Sequence, residues 1–171
     1  MSESTRPPRI AVCGAGEAPP AELETAERIG RLLAERGCAV VCGGLGGAMA
    51  AVCRGAKEAG GVTIGILPGY AAAAANPWVD YPICTGLGQA RNAIVVAAAD
   101  AVIAVGGGLG TLSEIALALR IGRPVVLLGG WAAIVGTDEA AAVAGEFAAH
   151  PVVAATPEEA VELALGHLSP G

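Results

Sequence analysis

Aromatic side chains are nearly missing from this sequence: one Phe, two Trp and two Tyr among 171 residues, 3% of the chain. Charge is thin as well, at 15%, and leans acidic, with a formal net charge of −6. The ten basic residues are scattered with no aromatics between them, so neither a basic stripe nor a stacking platform for nucleic acid is formed. Histidine occurs only at His150 and His167, far along the chain from every glycine cluster. Both are expected at the surface, which removes histidine-based triads. The five cysteines, Cys13, Cys38, Cys42, Cys53 and Cys84, show no CxxC spacing. They read as small buried thiols in a reducing compartment. No group of His, Cys, Asp or Glu has metal-ligand spacing, so no metal is expected. No apolar run reaches the roughly 20 residues that a membrane-spanning helix needs. The polar, Pro-rich start from Met1 to Arg9 does not read as a signal peptide. The expectation is a cytoplasmic protein with no membrane partner.

Hydrophobic residues, by contrast, make up 54% of the chain, and glycines number 26. The length fits one domain. Residues 1–8 read as a flexible N-terminal segment and 9–171 as a Rossmann-like nucleotide- or phosphate-binding domain. Within it, short β-like runs alternate with longer helical ones. Strands are expected at Arg9–Cys13, Cys38–Cys42, Val62–Leu67, Tyr81–Cys84, Ala101–Val105, Pro124–Leu128 and Pro151–Ala154. Helices are expected over Ala21–Arg36, from about Gly46 to Ala59, over Gln89–Ala99, after Gly110 to Arg120, and over Pro157–Leu168. Alternation of this kind implies right-handed βαβ units in a doubly wound parallel sheet of six or seven strands with helices on both faces. Such sheets are buried on both sides, which accounts for the apolar excess.

Three glycine clusters each follow a strand and precede a helix: Gly14-Ala15-Gly16, Gly43-Gly44-Leu45-Gly46-Gly47 and Gly106-Gly107-Gly108-Leu109-Gly110. In a parallel sheet all three lie at the carboxyl edge, where open α/β sheets bind ligands. Glycine admits close approach of backbone to a phosphate, and helix N-termini offer free N–H groups and a positive dipole end. The dinucleotide fingerprint fails, since Pro19 follows Gly14 and Gly16 and no acidic residue ends the second strand. The P-loop fails too, because the chain's single lysine, Lys57, lies well inside a helix.

Two charges stand in apolar surroundings. Arg91 is the only charged residue from Tyr81 to Ala99, and Glu114 the only one from Ala101 to Leu119. A buried charge without a partner costs several kcal/mol, so each needs a counterpart in the protein or in a ligand. For Glu114 a structural role is available, because Thr111-Leu112-Ser113-Glu114 fits a capping box. For Arg91 the structural alternative is an ion pair with Asp100 or Asp80.

The segment from Gly106 to Glu114 resembles the PGGxGTxxE motif of the Lonely Guy (LOG) superfamily, long catalogued under a lysine decarboxylase label. Cys42 to Met49 is similar to that superfamily's second glycine motif. Thr85-Gly86-Leu87-Gly88-Gln89-Ala90-Arg91-Asn92 is closest to the branch that contains the molybdenum cofactor carrier proteins. The resemblance spans roughly Arg9 to Trp131. In LOG phosphoribohydrolases, which split nucleoside 5′-monophosphates into free base and ribose 5-phosphate, the resemblance makes Arg91 and Glu114 the catalytic pair. Two departures match the carrier branch: Val105 stands where the motif begins with Pro, and Asn92 follows Arg91 where the hydrolases have Lys. The resemblance therefore implies a binding protein for the molybdenum cofactor or a nucleotide, with the hydrolase as the alternative. It also implies a homodimer or homotetramer. The candidate contacts to a small phosphorylated ligand are Gly14 and Gly16 on the first loop, and Gly43, Gly44, Gly46, Gly47 and Met49 on the second. Arg91 and Asn92 follow, then Gly107, Gly108, Leu109, Gly110, Thr111 and Glu114 on the third. Base or pterin selection is expected from the loop Tyr70–Trp78. No cofactor is required for catalysis, and pyridoxal phosphate is excluded. Its Schiff base needs a lysine, and Lys57 is about eleven helical residues, roughly 16 Å, from the glycine loops.

Overall fold

The computed structural model describes residues 6–140 and 150–168. Seven strands form one parallel sheet in the order β4-β3-β2-β1-β5-β6-β7. They are β1 (Arg9–Gly14), β2 (Ala39–Cys42), β3 (Val62–Leu67), β4 (Tyr81–Cys84), β5 (Ala101–Val105), β6 (Val125–Leu128) and β7 (Val152–Val153). The α-helices are α1 (Pro20–Glu35), α2 (Ala48–Glu58), α3 (Asn92–Ala98), α4 (Leu109–Arg120), α5 (Ala132–Val135) and α6 (Pro157–Gly166). This is the doubly wound α/β sheet that the alternation of elements implies.

The chain leaves β1 toward β2 and leaves β5 toward β6, in opposite directions, while β1 and β5 pair with each other from Ile10↔Ala101 to Gly14↔Val105. With right-handed crossovers, this places α1 and α2 on one face and α4 on the other. Strand side chains sort accordingly. Ile10, Val12, Val40 and Ile103 pack with Ile29, Leu33, Val52 and Val161 on the first face. Ala11, Val41, Val102 and Leu127 pack with Val95, Val96, Ile115 and Leu119 on the second. Beyond Gly14 and Val105 the two loops diverge and open a crevice at the topological switch point.

Several local features differ from expectation. The helix expected over Gln89–Ala99 is broken into a 3₁₀ turn, Gly88–Arg91, followed by α3. Helix α4 starts at Leu109 with Gly108 as N-cap, so Thr111 is already its third residue and no capping box forms with Glu114. The Thr-x-x-Glu pattern caps α6 instead. There Thr156 accepts from Glu159 N–H at 3.2 Å, and the Glu159 carboxylate accepts from Ala155 N–H at 2.7 Å. Four cysteines are buried, but Cys84 is exposed, because β4 is the sheet edge and all four of its residues face solvent. Of the segment 1–8 read as flexible, residues 1–5 lie outside the described residues; Arg6 makes a two-pronged pair with Asp100, 2.7 Å at each oxygen. No helix among the described residues is long and apolar enough to cross a membrane.

Candidate functional site

A cavity of about 300 Å³ lies at the switch point. Its floor is the end of β1, Val12 and Cys13; the walls are the three glycine loops; Arg91 and Glu114 enter from the face that carries α3 and α4. The chain reverses at these loops because glycine permits what other residues do not. At Gly107 the backbone has φ +94°, and a side chain there would overlap Thr111. At Gly43 a side chain would overlap the Arg91 guanidinium and Met49, so only glycine lets the β2 loop back directly onto Arg91.

Arg91 and Glu114 are each only 7% exposed and stand 3.7 Å apart, Nη1 to Oε1. Neither ion pair that offered Arg91 a structural alternative forms: Asp100 is taken by Arg6 and Arg9, and Asp80 by Lys57 at 2.8 Å. At 3.7 Å the pair with Glu114 is beyond hydrogen-bond reach, and the buried Nε of Arg91 has no partner among the described residues. Burial pushes the Glu114 carboxyl up to about 7, while the Cys13 thiol and the Arg91 charge pull it back down. Burial and the neighbouring Glu114 likewise hold the Cys13 thiol well above its ordinary range. The backbone N–H groups of Gly108, Leu109, Gly110 and Thr111, at the start of α4, have no acceptor among the described residues. The cavity thus presents a guanidinium and a helix N-terminus, the combination that receives an anion.

Of the residues singled out from sequence, Gly14, Gly16, Gly43, Met49, Arg91 and Asn92 line the cavity, as do Gly108, Gly110, Thr111 and Glu114. Gly44, Gly46, Gly47 and Gly107 do not line it and form the turns behind it. Leu109 is 78% exposed and points away. Asn92 spends its amide on Ser113 Oγ, 2.8 Å, and Gly110 O, 3.4 Å. Lys57 lies in the last turn of α2, outside the cavity lining. Both histidines are exposed. Cys13, Leu45 and Gln89 also line the cavity and carried no sequence signal of their own. Cys13 could have been found by counting, as the last side chain of a strand that ends in a glycine loop. The loop Tyr70–Trp78 contributes no lining residue. Its Asn76 instead holds the β2 loop from behind, donating from Nδ2 to Leu45 O at 2.9 Å.

The chain matches a family model described as the SLOG cluster4 family over residues 7–161. It is 47% identical to an uncharacterized protein of Archaeoglobus fulgidus over 120 residues, 70% of this chain and 79% of the relative. Among solved structures, it is similar to the molybdenum cofactor binding protein of the phototrophic bacterium Rippkaea orientalis. There the identity is 41% and the TM-score 0.88, over 97% of this chain and 100% of that one. It is also similar to the molybdenum cofactor carrier protein of Chlamydomonas reinhardtii, at 36% identity and TM-score 0.79, over 96% and 100% of the two chains.

Proposed function

From the premise that this chain belongs to the SLOG cluster4 family, we propose that it binds the molybdenum cofactor by its phosphate and carries it without turning it over. The observation behind the reading is Arg91. A guanidinium with five donors lies 93% buried in a cavity wall and makes no hydrogen bond among the described residues. Burying it this way is costly unless a ligand completes it. The free N–H groups of α4 beside it favour a phosphate. The molybdenum cofactor as the ligand comes from the structural neighbours, whose names state that they bind or carry it. In this reading Arg91 and the start of α4 grip the phosphate. Glu114 and Cys13 present a proton donor and acceptor at the cavity floor. Gly14, Gly16 and Gly43 let the backbone close on the ligand. The thiols, including Cys42 and Cys53 at 3.4 Å without a bond between them, suit a reducing cytoplasm.

A second reading has its own support. The pairing of Arg91 with Glu114 in one cavity is what the LOG hydrolases use, with Glu114 stabilising positive charge on the ribose as the glycosidic bond breaks and Arg91 placing the nucleotide. One experiment separates the two. The purified chain is denatured and its small-molecule content read by mass spectrometry, and the native protein is incubated with AMP and cytokinin riboside monophosphates. A carrier yields the pterin or binds it when supplied, releases no free base, and loses the ligand in Arg91→Ala. Release of base, abolished by Glu114→Gln, would replace the carrier by the hydrolase.

A further inference from the structure

A glycine-rich anion loop has a built-in weakness. Without side chains its peptide planes rotate easily, and a half-turn replaces an N–H facing the ligand with a carbonyl oxygen that repels it. We infer that three side chains outside the cavity lining, Trp131, Ser113 and Asn76, are positioning residues that pin the loop carbonyls so that N–H groups stay turned to the anion. The inference rests on the phosphate reading above.

Two loops show the same device, built from unrelated residues. On the third glycine loop, Gly108 O accepts from Leu112 N–H at 3.0 Å and from the Trp131 indole N–H at 3.1 Å. Gly110 O accepts from Ser113 Oγ at 2.6 Å, and Ser113 Oγ in turn accepts from Asn92 at 2.8 Å. These carbonyls are occupied, whereas the N–H groups of Gly108 to Thr111 are free among the described residues. On the facing loop, Gly44 O takes both the backbone N–H and the side-chain amide of Asn76, at 2.9 and 3.2 Å, and Leu45 O takes the amide again at 2.9 Å. Trp131 comes from the turn after β6 and Asn76 from the connection between β3 and β4, so neither belongs to the loop it holds. Trp131 and Asn76 thus supply donors from elsewhere to loop carbonyls, Ser113 does so from within α4, and on the third loop the adjacent N–H groups are left open among the described residues. The independent sign of a ligand at this place is Arg91, more than nine-tenths buried, unpartnered at Nε and set in the same cavity wall.

The test uses inorganic phosphate on the intact chain, read by calorimetry and by the rise in Tm that phosphate produces. Trp131→Phe removes the indole N–H and leaves a smaller aromatic ring in its place; Ser113→Ala deletes the hydroxyl on the other carbonyl. Each is expected to weaken phosphate about fivefold, the fold-change of one hydrogen bond of roughly 1 kcal/mol. The phosphate-induced Tm rise should shrink with little change in Tm without phosphate, and Ser113→Thr should restore it. A merely structural role would do the reverse, lowering the basal Tm and preserving the rise. That result, or wild-type affinity in both variants, overturns the inference. A wild-type chain that binds no phosphate at all would instead remove the phosphate reading, and this inference with it.

Discussion

Burial places the Glu114 carboxyl near 7, where small changes of pH alter its charge. Its neighbours on each packed element are the Cys13 thiol of β1, the Cys42 thiol of β2 and the Arg91 guanidinium before α3. When Glu114 is protonated, Arg91 has its full charge for an anion; when ionised, Glu114 competes for Arg91 and repels the ligand. Sulfate, whose own charge is constant in this range, should therefore bind up to about tenfold more weakly at about pH 8 than at about pH 6, following the protonated fraction. Titration calorimetry of wild type and Glu114→Gln checks this, since the variant should show a flat profile. The same group bears on stability. Its value is raised on folding from an ordinary 4.5 to about 7. The contribution is therefore fully present below the unfolded value and is lost as pH rises through the folded one, by roughly 3 kcal/mol. Chemical denaturation across about pH 5 to 8 should show that decline in the wild type and a smaller one in Glu114→Gln.

The elements carrying the site tolerate substitution unequally. A side chain added at Gly108 or Gly110 meets nothing within 4 Å, because both positions open on the cavity. Gly108→Val and Gly110→Val should keep the circular dichroism of the wild type and lose phosphate affinity. An unchanged affinity in both would move the anion site elsewhere. Helices α1 and α2 behave oppositely. They cross so closely that a side chain at Gly55 would overlap Glu27 O, and one at Gly30 would overlap Val52 O. Gly55→Ala should destabilise the fold by about 1–3 kcal/mol, as overpacking typically does, while phosphate affinity per folded molecule is retained. Urea unfolding measures the first and calorimetry the second.

Across the whole molecule, the two outer surfaces differ in kind. Helices α1, α2 and α6 are laced by ion pairs, Arg28 with Glu158, Arg31 with Glu58, Arg36 with Glu162 and Arg54 with Glu27. Helices α3 and α4 carry one outward charge between them, Arg120, beside exposed Ala93, Ala97, Leu109 and Ala116. A bare apolar face of this sort marks an association surface, and we propose that a second copy covers it. Light scattering at micromolar concentration should give a multiple of 16.7 kDa, and Ala97→Glu or Ala116→Glu should lower it. A 16.7 kDa species in the wild type would refute the proposal.

The sequence by itself determined the sheet and the edge at which the cavity opens. Period and punctuation are local properties, so strands such as Val62–Leu67 and Ala101–Val105 could be read to the residue, and three strand–glycine–helix junctions had to share one edge. Arg91 and Glu114 stood out because a charge inside an apolar run is costly wherever the chain puts it. Tertiary structure decided the partners. Which acid meets Arg91, why Glu114 titrates near neutrality, and why Asn92 binds Ser113 all depend on distances between segments remote in the chain. Trp131 and Asn76 reach glycine loops 23 and about 32 residues away. Nothing in the neighbouring sequence signals those contacts, because only the packed sheet brings the turns after β3 and β6 against the loops after β2 and β5.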